Sequence, residues 1–301
     1  MSAGLQAGRQ APGAEGVVYL DGRLLAAGEA CVSVFDRGFL FGDGVYEVVP
    51  CYGGRLFRPE AHLRRLQGSL DAVRIANPHG VEAWRAILED LVARNGGGDL
   101  SVYLQVTRGV SRRDHAFPPD AAPTVFAMAS PIYSPDPRSL SEGVAAVTRD
   151  DIRWQRCDIK AITLLANVLL RQEAIDAGAA EAILVRDGYA TEGAASNLFV
   201  VHDGVIRTPP KGPSLLPGIT RDLVVELADK HGLACEQREV SVESLRRADE
   251  IWLTSSTREV VPVTVLDGQH VGQGRPGPLW RQVYGLYQTC KQALRRGASA
   301  C

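Results

Sequence analysis

Thr191-Glu192-Gly193-Ala194-Ala195-Ser196-Asn197 places a glutamate among small residues, between two apolar stretches that predict β-strands. A carboxylate in such surroundings needs a cationic partner, because an unpaired buried charge is very costly. The commoner interpretation of one such residue is an exposed acid at a strand end. The functional interpretation is that Glu192 faces a bound cationic group, while Ser196 and Asn197 hydrogen-bond to neighbouring groups and fix the acid.

A lysine with apolar neighbours lies upstream of this segment. Lys160 follows Ile159 and precedes the apolar run 161–170, which predicts a helix. Most lysines are solvated, and a lysine at the edge of a core can extend its amine to water. In an apolar pocket, however, the pKa of the amine falls and the amine becomes a nucleophile suited to Schiff-base chemistry.

A third candidate segment, Gly218-Ile219-Thr220-Arg221, precedes an apolar helix pattern downstream of Glu192. Backbone N–H groups at a helix start bind phosphate, although a plain helix capped by Thr220 is the alternative. The hydroxyls of Ser255 and Ser256 form a second cluster of the same kind. An amine, a carboxylate and a phosphate cradle together are the groups that pyridoxal 5'-phosphate requires, so this cofactor is the candidate ligand.

The composition is that of a globular protein with room for two domains. The chain has 301 residues, of which 45% are hydrophobic and 23% charged, and its formal net charge is −2. This balance argues against a general binder of nucleic acid or of a membrane surface. The first 15 residues contain no apolar signal segment, and the run 161–170 is too short to span a bilayer.

The six cysteines are scattered, with no CxxC pair, which is typical of reduced thiols in a cytoplasmic protein. The six histidines show no metal-ligand spacing either. We therefore expect a cytoplasmic protein without a structural metal.

Five short turns punctuate predicted β-strands and favour antiparallel sheets. They are Asp21-Gly22, Gly53-Gly54, Asp187-Gly188, Asp203-Gly204 and Asp267-Gly268. Helical patterns lie between the hairpins, and a proline-rich connector at 130–137 interrupts this order. The sequence predicts an α+β protein with a flexible extension at 1–15, a smaller domain at 16–130, a linker at 131–137 and a larger cofactor-binding domain at 138–301.

A basic loop follows the strand pattern at 101–107. Arg113 and His115 lie two residues apart on it, and such a pair can bind a carboxylate. Without further context, a basic surface loop is the favoured interpretation.

Taken together, ordered motifs from about Val17 to Leu294 resemble the fold-type IV, or class IV, pyridoxal-phosphate-dependent aminotransferases, and are most similar to D-amino-acid aminotransferases. The motifs are Asp36-Arg37-Gly38-Phe39, 41–47, 105–109, Arg113-Asp114-His115, Asp158-Ile159-Lys160, Thr191-Glu192-Gly193, Ser196-Asn197 and 218–222. The resemblance implies two domains with antiparallel-rich sheets, flanking helices and the cofactor between the domains.

The resemblance also implies a role for each matching residue. Lys160 forms the internal aldimine and then moves the proton at the substrate Cα, and Glu192 pairs with the pyridine nitrogen. The other implied cofactor-binding residues are Arg65, Ser196, Leu216, Gly218, Ile219, Thr220, Ser255 and Ser256, with Leu216 packed against the ring and Arg65, Ile219, Thr220 and Ser256 on the phosphate. The implied substrate-binding residues are Tyr46, Arg113 and His115.

The resemblance further implies a homodimer, because Arg113 and His115 match a carboxylate trap that reaches into the neighbouring subunit. The expected reaction is ping-pong transfer of an amino group from a D-amino acid of the D-alanine or D-glutamate type to a 2-oxo acid. A branched-chain L-amino-acid aminotransferase, an aminodeoxychorismate lyase and an (R)-selective amine transaminase remain alternatives on the same fold. A non-catalytic binder of phosphorylated ligands is the alternative from another class.

The chain departs from this family pattern at four positions. Ala194 and Ala195 stand where relatives often carry serines, and Pro217 stands where a lysine is common. Asp114 places a negative charge between the two trap residues. If Asp114 points into the site, it weakens carboxylate binding.

Overall fold

The computed structural model describes residues 16–133 and 135–298, and the predicted extension at 1–15 lies outside them. Helices and two sheets alternate along the chain, so the α+β prediction is confirmed. The helices are α1 Arg37–Phe41, α2 Pro59–Val73, α3 Val81–Arg94, α4 Pro137–Ser141, α5 Leu165–Asp176, α6 Ile219–Lys230, α7 Val242–Arg246 and α8 Pro278–Arg295. The strands are β1 Val17–Leu20, β2 Arg23–Ala26, β3 Gly44–Tyr52, β4 Arg55–Leu56, β5 Leu100–Thr107, β6 Thr124–Pro131, β7 Val144–Asp150, β8 Glu181–Arg186, β9 Tyr189–Gly193, β10 Asn197–His202, β11 Val205–Thr208, β12 Cys235–Gln237, β13 Val240–Ser241, β14 Glu250–Ser255, β15 Glu259–Leu266 and β16 Gln269–His270.

The first sheet has six strands in the order β2-β1-β6-β5-β3-β4, and every neighbouring pair is antiparallel. The second has ten strands in the order β12-β11-β10-β14-β15-β7-β8-β9-β13, with β16 paired to β15. Its parallel pairs are β11 with β12, β15 with β7, and β7 with β8. The remaining pairs are antiparallel, as the turn pattern predicts.

All five predicted turns join neighbouring antiparallel strands. Both turn residues have positive φ in each case; Asp187, for example, has φ of 51° and Gly188 of 81°. This is the conformation that a two-residue hairpin requires, and Asn, Asp and Gly adopt it most readily.

The helix expected in the apolar run after Lys160 starts later than the run and extends beyond it. It begins at Leu165, and Leu170 and Ala174 are the residues that it buries. Leu165 is 72% exposed and Leu169 is 50% exposed, so these apolar residues of the run face outward. The pattern was ambiguous because apolar residues occur on both faces of α5.

Apolar packing connects the two halves of the chain. The core around α6 and α8 also contains Tyr52 and Phe57 from the first half. The Phe57 and Tyr287 rings lie 5.8 Å apart between centroids. The predicted boundary at 131–137 falls between the end of β6 and the start of α4, and remains a prediction.

Cys31, Cys51, Cys157 and Cys235 are free thiols. Cys290 takes part in a disulfide, so the expectation of reduced thiols is wrong for that residue. Spacing along a sequence does not exclude pairing between cysteines that folding brings together. Within residues 16–133 and 135–298, no helix has the length and apolarity needed to cross a bilayer.

Candidate active site

A cavity of about 1060 Å³ contains most of the residues singled out from the sequence. It is lined by Tyr46, Arg65, Lys160, Glu192, Ser196, Leu216, Gly218, Ile219, Thr220, Ser255 and Ser256. These residues come from strands of both sheets, from α2, from the start of α6 and from the segments that connect such elements. The fold therefore brings the candidate amine, carboxylate and phosphate cradle to one concave site, which is the usual form of a cofactor pocket.

Lys160 is fixed by its backbone rather than by an ion pair. Its carbonyl accepts the Tyr46 N–H at 2.9 Å, and its own N–H donates to Ser69 Oγ at 3.2 Å. The Lys160 Nζ atom lies 4.0 Å from the centroid of the Tyr46 ring. The ring face contacts the amine there, and no carboxylate of residues 16–133 and 135–298 pairs with it.

Glu192 occupies the end of β9 and is only 4% exposed. Its Oε1 accepts from Arg153 Nη1 at 2.5 Å. Its Oε2 accepts from Asn197 Nδ2 and from the Leu216 N–H, each at 3.0 Å. The cationic partner that this buried acid requires is thus Arg153, which also forms two hydrogen bonds with the buried Asp151.

Ser196 does not support Glu192, although Asn197 does. Ser196 Oγ donates instead to Glu181 Oε2 at 3.2 Å.

Burial raises the pKa of Glu192 to about 7, and the Arg153 charge opposes this rise. The first effect is the cost of removing a carboxylate from water, and the second is attraction to a guanidinium. Glu192 is therefore poised between its neutral and charged forms near neutral pH. A cationic group bound opposite Glu192 would favour the charged form.

This pKa predicts a specific pH dependence of the ligand-free protein. Because the folded pKa lies above the ordinary 4.5, the contribution of Glu192 to stability is fully present below pH 4.5 and is lost as pH rises through 7. The free energy of unfolding of the wild type minus that of Glu192→Gln should fall by up to about 3 kcal/mol between pH 4.5 and 8. Denaturant unfolding at a series of pH values measures this difference. A flat difference would mean that Arg153 keeps Glu192 charged throughout.

The start of α6 also lines the cavity. Its N-cap is Gly218, whose position carries no side-chain cap, so the interpretation of Thr220 as a cap is wrong. The first N–H groups of the helix therefore remain available, and the helix dipole favours an anion there. The Thr254 hydroxyl, which is buried in the cavity wall, has no hydrogen-bond partner among the described residues.

Arg65 is held beside this helix start by a buried network. Its Nε and Nη2 donate to the two oxygens of Glu47 at 2.7 and 2.8 Å, and its Nη1 donates to the Pro217 carbonyl at 2.9 Å. His62 Nδ1 lies 2.8 Å from Glu47 Oε2. Although burial opposes ionisation, Arg65 and His62 hold the pKa of Glu47 well below its usual range. Pro217, at the position where relatives often carry a lysine, thus contributes its carbonyl as a hydrogen-bond acceptor for Arg65.

Arg113 and His115 do not line the cavity of their own chain. The His115 ring centroid lies 5.4 Å from that of Phe41, and Arg113 Cζ lies 5.3 Å from the Phe41 centroid. Asp114 Oδ1 accepts the Ala116 N–H at 3.0 Å, so the side chain turns back onto its own loop. Arg37 Nη1 fixes the loop by donating to the Asp114 carbonyl at 2.5 Å.

Sequence reasoning missed Arg153, Glu47 and the cavity-lining Arg258. Each belongs to a contact between distant parts of the chain, such as Arg153 with Glu192, 39 residues apart. The only local signal was the alternation of Asp151 and Arg153, which is also common on protein surfaces.

A family model described as "Amino-transferase class IV" matches residues 44–266, which include Tyr46, Lys160 and Glu192. The chain belongs to the class IV aminotransferases. Enzymes of this class depend on pyridoxal phosphate and act on amino acids and 2-oxo acids. The resemblance stated from the motifs is confirmed at the level of the family.

Curated members of this class resemble the chain over nearly its whole length. A D-alanine aminotransferase of Bacillus licheniformis is 44% identical over 271 residues, covering 90% of this chain and 95% of the relative. A D-alanine aminotransferase of Staphylococcus haemolyticus is 38% identical over 267 residues, covering 88% of this chain and 94% of the relative.

Solved class IV structures also match the fold. The branched-chain amino acid aminotransferase from T.th. with pyridoxamine 5'-phosphate superimposes with a TM-score of 0.87 at 26% identity, covering 92% of this chain and 94% of that chain. The branched-chain enzyme from Escherichia coli gives a TM-score of 0.83 at 28% identity, and the match covers 91% of this chain and 93% of that chain. The fold-type IV prediction is confirmed.

Proposed function

We propose that this protein is a D-amino-acid aminotransferase that uses pyridoxal 5'-phosphate to transfer the amino group of D-alanine, or a similar D-amino acid, to a 2-oxo acid. The observation that carries the proposal is the presence of the Lys160 amine, the Glu192 carboxylate and the free start of α6 in one cavity. The D-alanine aminotransferases that are 38–44% identical to the chain support the choice of donor.

The cavity residues fit this cofactor. The N–H groups of Ile219 and Thr220 and the hydroxyl of Ser256 suit its phosphate, and Arg65 supplies positive charge beside them. Glu192, whose pKa lies near 7, suits a ring nitrogen that carries a proton. The Thr254 hydroxyl, for which the described residues offer no partner, is one more polar group in the same wall.

When bound, pyridoxal phosphate supplies an aldehyde that condenses with amines and a ring that withdraws electrons. Lys160 Nζ takes the proton from the substrate Cα and holds it for return, a role that suits an amine with no carboxylate bound to it. The Tyr46 ring orients Nζ from 4.0 Å away. Glu192, fixed by Arg153, Asn197 and Leu216, holds the ring nitrogen in its protonated form.

Gly218→Ala should weaken cofactor binding by about 10-fold or more, because overpacking of this kind costs about 1–3 kcal/mol. A Cβ at Gly218 would overlap Asn197 Oδ1 and displace the amide that supports Glu192. Titration of the cofactor-free protein, followed by visible absorbance, measures the affinity. The matched control is Gly212→Ala, where a Cβ meets nothing within 4 Å. Equal affinity of both variants would contradict the prediction.

The proposed donor is tested by incubating the holoenzyme with D-alanine or L-leucine and measuring the 2-oxo acid formed. D-alanine should react and L-leucine should react far more slowly. The branched-chain L-amino-acid aminotransferase is the second candidate, because the similar solved structures carry that name at 26–28% identity. Reaction with L-leucine but not D-alanine would establish that alternative.

The proposal includes a homodimer with shared active sites, and a cytoplasmic location. Arg113 and His115 lie outside the cavity of their own chain, and nearby Phe39 is 74% exposed. Leu165 and Val168, in the cavity-lining segment of α5, are 72% and 60% exposed. A second copy that covers these apolar residues would bring Arg113 and His115 into its neighbour's site.

Complementation tests this arrangement. Subunits carrying Lys160→Ala are mixed, by unfolding and refolding, with subunits carrying Arg113→Ala and His115→Ala. Half of the dimers are then mixed, and each mixed dimer contains one intact site, so activity should recover to about a quarter of the wild type. No recovery in confirmed mixed dimers would show that the two residues serve their own subunit.

A further inference from the structure

Two arginines converge on one part of the cavity wall. Arg171 comes from α5, and Arg258 lies in the turn between β14 and β15; both line the cavity. Each donates through Nη1 to the carbonyl of Ala180, Arg258 at 3.5 Å. Arg258 Nη1 also lies 3.4 Å from Glu181 Oε2. Two guanidinium groups are therefore held side by side at the cavity surface.

Their positive charge is incompletely balanced. Arg65, Arg108 and Arg153 each form two hydrogen bonds with a single carboxylate. Within the described part of the chain, Glu181 is the one carboxylate paired with either arginine, and it pairs with Arg258, which uses only Nη1 for its side-chain hydrogen bonds. Glu181 also accepts hydrogen bonds from Ser196 Oγ and the Ala182 N–H. One net positive charge therefore remains at this wall.

The environment of Arg258 favours an additional anion. Burial lowers the pKa of its guanidinium, Glu181 opposes this, and the charge of Arg171 lowers the pKa further. A carboxylate bound to the free nitrogens would offset both unfavourable effects, since Arg pairs with carboxylates through two parallel hydrogen bonds.

This wall adjoins the proposed cofactor site. Glu181 accepts from Ser196, and the next residue, Asn197, donates to Glu192. On its other side, the Arg258 N–H donates to Ser255 Oγ at 3.2 Å. The two arginines thus lie between the support of Glu192 and the Ser255-Ser256 cluster, within reach of a ligand in the same cavity.

We infer that Arg258, together with Arg171, binds the second carboxylate of a dicarboxylic substrate such as D-glutamate or 2-oxoglutarate. The inference rests on the proposed function. Arg258 then determines how strongly the enzyme prefers dicarboxylic over monocarboxylic substrates. Glu181 orients the guanidinium, and D-alanine has no second carboxylate to bind there.

The first experiment measures kcat/KM of Arg258→Gln holoenzyme in the separate half-reactions. Loss of a charged hydrogen-bonding pair predicts a decrease of about 10- to 100-fold for D-glutamate and 2-oxoglutarate. The kcat/KM values for D-alanine and pyruvate should change less than about 3-fold, which is well below the roughly 10-fold decrease expected when a charged hydrogen bond to the substrate is lost. Arg247→Gln, which removes an exposed arginine that pairs with Glu243, is the matched control. An equal decrease for all four substrates would overturn the inference.

The second experiment measures binding without turnover. Calorimetry compares glutarate with pentanoate, which has the same number of carbons but one carboxylate. Wild-type holoenzyme should prefer glutarate, Arg258→Gln should lose the preference, and Arg258→Lys should keep part of it. The same affinity for both acids in the wild type would overturn the inference. Inactivity of the wild type with D-alanine would instead contradict the proposed function, and the glutarate comparison would still test Arg258.

Discussion

Lys160→Ala is expected to lower kcat for D-alanine by at least about 10³-fold, because it removes the proposed proton-transfer group together with the nucleophilic amine. The backbone N–H and carbonyl of this residue hold Ser69 and Tyr46 in the wild type and are unchanged by the substitution. The fold should therefore persist. Steady-state assays measure kcat, circular dichroism measures whether the fold persists, and the visible absorption spectrum reports the state of the bound cofactor.

A small amine distinguishes loss of the proton carrier from general damage. Methylamine added to Lys160→Ala should restore part of the turnover, since it can occupy the space that the side chain leaves. The matched control is Lys230→Ala, at an exposed position at the end of α6, which should retain wild-type activity. Undiminished turnover of Lys160→Ala would remove the mechanism proposed here.

Glu192→Gln is expected to have the second-largest effect, a decrease in kcat on the order of 10²-fold, the size found when one preorganised electrostatic contact is lost. The amide keeps the shape of the side chain and can still accept from the Leu216 N–H. It carries no negative charge, however, so it no longer favours a protonated ring nitrogen. Among the described residues, Arg153 then retains Asp151 as its one carboxylate partner.

Glu192→Asp and Glu236→Gln are the matched controls for this prediction. The aspartate keeps the charge and should retain more activity than the glutamine variant. Glu236, whose side chain is 47% exposed, should tolerate neutralisation. If the glutamine and aspartate variants lose activity equally, the effect comes from the position of the side chain and not from its charge.

Local signals predicted much of the fold. Each of the five hairpins follows from two residues that adopt positive φ, so the information lies within the turn itself. The position of Glu192 at a buried strand end, and of the free N–H groups at the start of α6, also followed from short segments. The exposed face of α5 did not, because burial depends on what packs against a helix and both faces of this helix carry apolar residues.

The sequence by itself determined the family, the hairpin pattern, and the amine, carboxylate and helix start of the candidate site. Only the tertiary structure decided that Arg153 is the partner of Glu192, that Glu47 holds Arg65, and that Arg171 and Arg258 share the carbonyl of Ala180. The physical reason is the distance along the sequence over which each feature is determined. A turn or a helix start is set by neighbouring residues. The charge of a buried site depends on side chains brought together from distant segments, and every arginine has the same local sequence signal whether it is paired or free.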